Sequence, residues 1–575
     1  MYRRIAISIL ALHAVTYSSA ALSSAQQRPA DSQRAPINET QTVESLRSRL
    51  AAHLNQPRFD PASWGVKIVS LDTGKTVFEH NPQKYFSPAS NAKLYTGALA
   101  LDRLGPDFRV RTSLYSTVKP DSAGTLRGDL LVYGRGDPLM TARLHDGDYF
   151  KPLDPLASAL INSGIKRIQG DVIGDDSYFT GPPFGAGWEW DDLQADYGAE
   201  VSALTVEDNC IDVFVKPAER VGMPGVITTG PEVPYLTIMN RTQTSAKGTE
   251  TRVTVYRPVG ENTVYVSGRI PIDGSGFYSS VAVHKPAALF ATVFKEALSR
   301  RGITVTGRAR SFDWKYREVS PIDLSKLFEL GAIDSAPLKD ILRETLKPSQ
   351  NMYAQVLLLH VGKAAEAASK TSPPAGSASG STGGRQSRLR NKDPNAPQAR
   401  KDSSFDAPPS TEQLGLDEMT DFLTEVGVKV GDVLLEEGSG LSRKDVITPN
   451  ATVALLSYMS KHRWAEVYRS ALPIAGIDGT LEKRMKGTPA EGNVRAKTGT
   501  LRYVYTLSGY VTTAGGERMA FSIMLNNYFN VERSAALRDP SSGGGRPVPA
   551  PRDDIDAIAI MLAGFTGRTE PSNNR

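Results

Sequence analysis

The sequence predicts an α/β (α+β) protein in which helices sandwich an antiparallel sheet and a large β-rich insertion splits that sandwich. Helical periodicity marks both ends. Leu46, Leu50 and Leu54 recur every fourth residue near the start, while Ile555, Ile558 and Leu562 share a helical face behind acidic capping residues near the end. Strand-like runs sit beside each helix. Residues 65–71 and 76–80 flank Asp72-Thr73-Gly74, a turn sequence with a residue suited to positive φ, and residues 507–511 and 518–525 form a second pair. Between about 110 and 320 the pattern changes to short β-rich runs broken by Gly and Pro, such as 130–133, 172–173 and 253–256.

At 575 residues the chain exceeds what one hydrophobic core supports, so at least two domains are expected. With 40% apolar and 22% charged residues, its bulk should fold as a globular protein. A formal charge of +5 is too weak to argue for nucleic acid, and no run of basic and aromatic residues would track a phosphate backbone. Nucleic acid is therefore not an expected partner. Arg3 and Arg4, the apolar stretch from Ile5 to about Val15, and small residues around Ala20 and Ala25 read as a signal peptide. That stretch is about half the ~20 residues a spanning helix needs, so export without a stable membrane span is expected. Cys210 is the only cysteine, which rules out an internal disulfide, and it reads as a buried structural residue.

The expected divisions are a signal peptide at 1–25, a helix-and-sheet domain in three parts (26–110, 321–364 and 412–567), inserted β-rich material at 111–320, a disordered low-complexity insertion at 365–411, and a polar tail at 568–575. The basic residues of the 365–411 stretch read as a solvated surface loop.

A serine hydroxyl is a poor nucleophile near neutral pH and needs a proton acceptor within hydrogen-bond reach. None of the seven histidines falls in a Gly-x-Ser-x-Gly context or a His-Glu-x-x-His, so neither a histidine triad nor a zinc centre is supported. Lysine is the alternative. In Ser90-x-x-Lys93 the two side chains are three apart at the start of a helix and share a face. Roughly two such matches arise by chance in a chain this long. Ser116 and Lys119 form the decoy, because residues three apart in a strand face opposite sides.

Two further elements add to the pair. Ser349-Gln350-Asn351 follows a helix with Leu338, Ile341, Leu342 and Leu346 on one face, and it adjoins Pro348 where a new helix begins. Lys497-Thr498-Gly499-Thr500 lies in a strand-like segment just before the 507–511 run. A second Ser-x-Asn, Ser572-Asn573-Asn574, lies in the polar tail and reads as accidental.

These three motifs in this order resemble those of penicillin-binding proteins and serine β-lactamases. Flanking segments narrow the resemblance: Gly128-Asp129-Leu130, Gly136-Asp137-Pro138, Gly170-Asp171-Val172, Gly187-Trp188-Glu189-Trp190-Asp191-Asp192, Gly438-Ser439-Gly440-Leu441-Ser442-Arg443 and Ala475-Gly476-Ile477-Asp478-Gly479-Thr480-Leu481. From about residue 45 to 565 the chain resembles the D-alanyl-D-alanine carboxypeptidase/endopeptidase family, the class C low-molecular-mass penicillin-binding proteins, whose large insertion between the first two motifs it shares. The resemblance implies a transpeptidase-like fold, a serine peptidase acting on peptidoglycan stem peptides, covalent inhibition by β-lactams, no cofactor and no metal. It places the protein in the periplasm or another extracytoplasmic space.

The same resemblance implies the residue roles. Ser90 attacks, Lys93 takes its proton, Ser349 relays a proton to the leaving amine, and Asn351 holds the substrate backbone. Lys497, Thr498, Gly499 and Thr500 form the substrate-binding strand, and the backbone N–H groups of Ser90 and Thr500 form the oxyanion hole. A second cation at Lys497, like burial, would lower the pKa of Lys93. Asp192 corresponds to an acidic residue associated with the amino group of a diaminopimelate side chain, with a buried structural aspartate as the other reading. Arg502 departs from the family pattern, where a small residue is usual, and could repel an amine or pair with Asp192. The 438–443 and 475–481 segments are expected to be scaffold turns. A β-lactamase or esterase on the same scaffold would need a deacylating base, and no Glu-x-x-Leu-Asn segment supplies one. A non-catalytic peptidoglycan-binding protein would have no use for all of Ser90, Lys93, Ser349, Asn351 and Lys497. Whether carboxypeptidase or endopeptidase activity dominates is left open by the residues.

Overall fold

A computed structural model describes residues 41–371, 408–530 and 550–570. The expected signal peptide at 1–25, most of the low-complexity stretch and the tail from 571 lie outside the described residues. Both ends of the described chain build one antiparallel sheet. Its five strands run in the order Arg495–Leu501, Val504–Thr512, Arg518–Asn526, Ser63–Ser70 and Thr76–His80. The pairing Val66↔Ile523 shows how far apart in sequence the partners are. Alternation along these strands divides the side chains between two cores.

On one face Val66, Ile68, Leu507, Ile523 and Leu525 pack against the Leu46, Leu50, Leu54 stripe of the Val43–Leu54 helix and against Ile555, Ile558 and Leu562 of the Pro551–Ala563 helix. The first helix is capped by the Thr42 side chain, which accepts from the Ser45 N–H. On the other face lie the Ala92–Leu104, Leu338–Leu346, Asn351–Thr371, Thr411–Val426 and Pro449–Met459 helices. Full burial of each large aliphatic side chain contributes about 1.5–3 kcal/mol, and these stripes supply many.

The material between the first two motifs contains a five-stranded mixed sheet, ordered Ala309–Phe312, Val172–Asp175, Leu130–Tyr133, Arg111–Ser116 and Phe328–Asp334. The Asp154–Asn162 and Pro286–Arg300 helices cover it. Two three-stranded sheets share a smaller core of Val213, Val215, Val264, Val266 and Val281.

One expectation needs correcting. The Asn351–Thr371 helix continues past 364, where disorder was expected. Ala364, Ala365, Ala367 and Ala368 are strong helix formers, and Glu366 pairs with Lys363 at 2.5 Å and with Lys370 at 2.6 Å. The decoy pair does not cooperate: Ser116 Oγ donates to the Asp129 carbonyl at 2.8 Å, and the Lys119 ammonium lies 5.0 Å over the Phe328 ring. Cys210 is buried with Sγ 3.4 Å from the Asp208 carbonyl, and burial pushes its thiol up. Among the described residues no helix is long and apolar enough to cross a membrane.

Candidate active site

A short 3-10 turn, Ala89–Asn91, leads into the buried Ala92–Leu104 helix and carries Ser90 at its centre. Ser90 is partly exposed, whereas Lys93, one helical turn on, is fully buried. The Lys93 ammonium donates to Ser90 Oγ at 2.9 Å, to Asn351 Oδ1 at 2.5 Å and to the Ser439 carbonyl at 2.7 Å. Its three protons thus have three acceptors, which fixes Nζ against the nucleophile.

The second motif sits in the bend between the Leu338–Leu346 and Asn351–Thr371 helices. Ser349 adopts φ +70, a left-handed conformation that turns the chain sharply enough to present Ser349 and Asn351 together. The insertion braces this bend. Asn351 Nδ2 donates to the Tyr197 carbonyl at 2.8 Å, Gln350 Nε2 donates to Asp208 Oδ2 at 3.3 Å, and the Tyr353 hydroxyl donates to Asp208 Oδ1. Asp208 is itself the middle of three consecutive non-glycine residues with positive φ, Glu207 to Asn209 at +52, +53 and +58. Backbone strain of this kind persists only where the surroundings fix it.

The third motif lies on the edge strand Arg495–Leu501. Lys497 is fully buried, and its ammonium donates to Ser349 Oγ and to the Thr498 carbonyl, both at 2.8 Å. Thr498 Oγ1 donates to Thr480 Oγ1 at 2.8 Å. Gly499 is the point of closest approach: a Cβ there would lie 2.2 Å from Thr506 Oγ1, 2.7 Å from the Pro88 carbonyl and 3.0 Å from the Ser90 nitrogen. Only glycine lets this strand lie against the Ser90 turn. Thr500 follows, exposed on the same strand. The structure therefore gathers Ser90, Lys93, Ser349, Asn351, Lys497, Thr498 and Gly499 into one site.

Two buried ammonium groups in one site change the electrostatics. Burial pulls Lys93 down to about 7, against the raising influence of Glu437 and Asp445. Lys497 is held well below its ordinary value by burial first, then by repulsion from Lys93 and Arg484. Burial, rather than Lys497, is thus the main cause of the lowered Lys93 value, and the repulsion between the two lysines is felt at Lys497.

The two segments expected to be scaffold turns reach the site directly. The 438–443 turn supplies the Ser439 carbonyl to Lys93, and the 475–481 turn supplies Thr480 to Thr498. The second turn also binds the Ser349 bend from behind: the Thr480 N–H donates to the Lys347 carbonyl at 3.0 Å, and the Lys347 ammonium pairs with Asp478 at 2.5 Å. Neither role announces itself in side-chain chemistry, because a backbone carbonyl acts at Ser439. The available signal was Glu437 immediately before Gly-Ser-Gly, a carboxylate facing a run of flexible N–H donors.

Asp192 opens a 3-10 turn, Asp192–Gln194, just ahead of Tyr197. Its carboxyl is raised by burial and then by Asp191, against Tyr197 and Arg443, and its Oδ2 is buried without a hydrogen-bond partner among the described residues. Arg502 does not pair with it. The Arg502 guanidinium instead lies 5.2 Å over the Tyr503 ring, so the cation that acts on Asp192 is Arg443.

Known proteins resemble this chain in sequence and in fold. The sequence profile of the D-Ala-D-Ala carboxypeptidase 3 (S13) family matches residues 46–379 and 402–543. A D-alanyl-D-alanine carboxypeptidase of Actinomadura sp. (strain R39) is 32% identical over 545 residues, covering 92% of this chain and 86% of the relative. The D-alanyl-D-alanine carboxypeptidase DacB of Haemophilus influenzae is 26% identical over 481 residues, covering 83% of this chain and 88% of that protein. The crystal structure of penicillin binding protein 4 from Haemophilus influenzae superposes with a TM-score of 0.67 at 25% identity, covering 90% of this chain and 98% of the other. Matched over nearly all of its described length, in sequence and in fold, the chain belongs to the D-Ala-D-Ala carboxypeptidase 3 (S13) family.

Proposed function

We propose that this chain is an exported serine-type D-Ala-D-Ala carboxypeptidase and/or DD-endopeptidase that cleaves peptidoglycan stem peptides through an acyl-enzyme on Ser90. The observation that carries the reading is the buried Lys93 ammonium, 2.9 Å from Ser90 Oγ and poised near neutrality at about 7. A lysine that is neutral part of the time near physiological pH can act as a general base.

In the proposed sequence Lys93 takes the Ser90 proton as Oγ attacks the carbonyl carbon of the penultimate D-alanine. The oxyanion that develops is held by the backbone N–H groups of Ser90 and Thr500; the close approach of the neighbouring Gly499 to the Ser90 nitrogen supports this pairing. When the C–N bond breaks, the departing amine takes a proton from the Ser349 hydroxyl, and Lys497 replaces it across their 2.8 Å contact. Water then attacks the acyl carbon, its proton passing through Ser349 to Lys497, and Lys93 returns its proton to Ser90 Oγ as the acyl bond breaks. Lys497 and Thr498 bind the substrate's terminal carboxylate, and Asn351 aligns its backbone. A β-lactam enters the same route when Ser90 opens its ring, so β-lactams act as covalent inhibitors. Asp192, an acid with a buried unpaired oxygen beside the Asn351 support, suits an amino group on the third stem-peptide residue. The substrate lies outside the cytoplasm, and the Arg3-Arg4 start with its short apolar run supports export to that compartment.

Intact-mass measurement with penicillin tests the assignment: one adduct per chain, on Ser90, absent from Ser90→Ala. Digestion of purified cross-linked muropeptides then ranks the two peptidase activities, and no product from either substrate class would overturn the reading.

A further inference from the structure

Glu437 is fully buried, and its carboxylate is held by backbone amides rather than by a cation. It accepts from the N–H groups of Ser439 at 2.6 Å, Gly440 at 2.5 Å, Leu441 at 2.9 Å and Ser442 at 3.4 Å. Four amides of one turn converging on one carboxylate form an anion nest, which folds the turn around the charge. The turn is pinned from its other side by Gly440, at φ +81, where a Cβ would lie 1.9 Å from the Ala89 carbonyl. What the turn presents to the site is the Ser439 carbonyl, the 2.7 Å acceptor of the Lys93 ammonium.

Glu437 therefore reaches Lys93 twice, through the carbonyl it positions and through its charge. The charged groups facing Lys93 are Glu437 and Asp445 from this segment and Lys497 from the sheet, whereas Ser90 and Asn351 on the neighbouring elements are neutral. Asp445 faces Glu437, with Glu436 nearby, and burial followed by Glu437 pushes its carboxyl well up. Asp445 Oδ1 accepts from the Glu436 N–H at 2.7 Å, while Oδ2 has no hydrogen-bond partner among the described residues.

We propose that Glu437 is a positioning residue for the reaction: its buried carboxylate, gripped by the four amides of the turn, holds Lys93 aimed at Ser90 through the Ser439 carbonyl and sets the pH at which that lysine becomes a base. The proposal rests on the reading of Lys93 as the base that activates Ser90.

The test is the pH profile of penicillin acylation, followed on the full chain by intact mass. Asp445→Asn should move the acid limb to lower pH by less than Glu437→Gln does, because Asp445 is the weaker of the two influences on Lys93. The double variant Glu437→Gln, Asp445→Asn removes the charge from both carboxyls and should move the limb to lower pH by about one unit, the usual scale for losing a nearby opposite charge. Glu437→Gln alone should move it the same way by less, because Asp445 remains, and this arm decides if the double variant does not fold. A folded variant that is slower at every pH with an unmoved limb would mark Glu437 as scaffold and overturn the proposal. Penicillin adducts on Ser90→Ala would instead overturn the underlying reading.

Discussion

Lys497 Nζ lies 2.8 Å from Ser349 Oγ, joining the third motif to the second across 148 residues of chain. In the proposed reaction Ser349 stands between this buried cation and the departing amine. Ser349→Ala should therefore slow acylation of Ser90 by about 10²- to 10⁴-fold, the range general acid–base groups supply, while the adduct still forms at the same serine. Timed intact-mass measurement with penicillin checks this, and an undiminished rate would remove Ser349 from the proton path.

The lowered Lys93 value predicts a pH limb. Protonated Lys93 cannot accept the Ser90 proton, so acylation should fall on the acid side and rise through a midpoint near 7. Lys93→Met removes the base without putting another charge in its place. It should lower the rate by about 10²- to 10⁴-fold at pH 8 and abolish the limb. A limb that survives in the Met variant would belong to another group.

The parts of the fold legible in the sequence were those governed by period. Leu46, Leu50 and Leu54, and Ile555, Ile558 and Leu562, repeat at helical spacing, and both stripes face the sheet. The motif residues were legible because each carries its chemistry in its side chain. Ser439 was not, because its backbone carbonyl holds Lys93 and any residue has one. Asp208 was not, because its contact with Gln350 depends on a strained turn in the insertion, set by packing between segments 142 residues apart. The last turns of the Asn351–Thr371 helix are not legible, because the Ser, Gly and Pro content beyond them masks the helix propensity of Ala364, Ala365, Ala367 and Ala368.

Gly499 predicts a coupled loss of stability and activity. Its missing Cβ is what separates the edge strand from Thr506, Pro88 and the Ser90 nitrogen. Gly499→Ala should cost about 1–3 kcal/mol through overpacking and slow acylation by displacing the strand from Ser90. Gly74→Ala is the control: at φ +74 with nothing nearby, it should cost stability of the order of 1 kcal/mol while leaving acylation unchanged. Melting curves with acylation rates separate the two, and equal effects on acylation would contradict the argument.

Glu207 predicts how stability changes with pH. Burial, with Asp208 and Asp212 adding to it, pushes the carboxyl up to about 8 in the folded chain, from 4.5 when unfolded. A raised folded value means the native state holds the proton more tightly than the unfolded state does. The stabilisation is therefore fully present below about 4.5 and is lost as pH rises toward 8. Asp176 and Glu412, both near 7, slope the same way. Glu207→Gln removes one titration and keeps an acceptor for the Ala142 N–H, so Tm should fall less between pH 5 and pH 8 than in the parent. An identical slope in both proteins would show that Glu207 does not titrate in this window.

Asp192 and Arg502 make opposite predictions about specificity. Asp192 carries a buried oxygen without a partner among the described residues, and Arg443 is the cation that acts on it. An ammonium group on the substrate would satisfy that oxygen, because an unpaired buried acceptor costs about 1–3 kcal/mol until a donor arrives. Asp192→Ala should therefore lose the preference for stem peptides whose third residue has a free amino group over the same peptides acetylated there. The ratio of kcat/KM for the two should fall by about 10-fold, with penicillin acylation little changed. Arg502 stacks on Tyr503 outside this contact, so Arg502→Gly should leave the ratio where it is. A ratio that moves with Arg502 and not with Asp192 would transfer the selectivity from the insertion to the strand that carries Lys497.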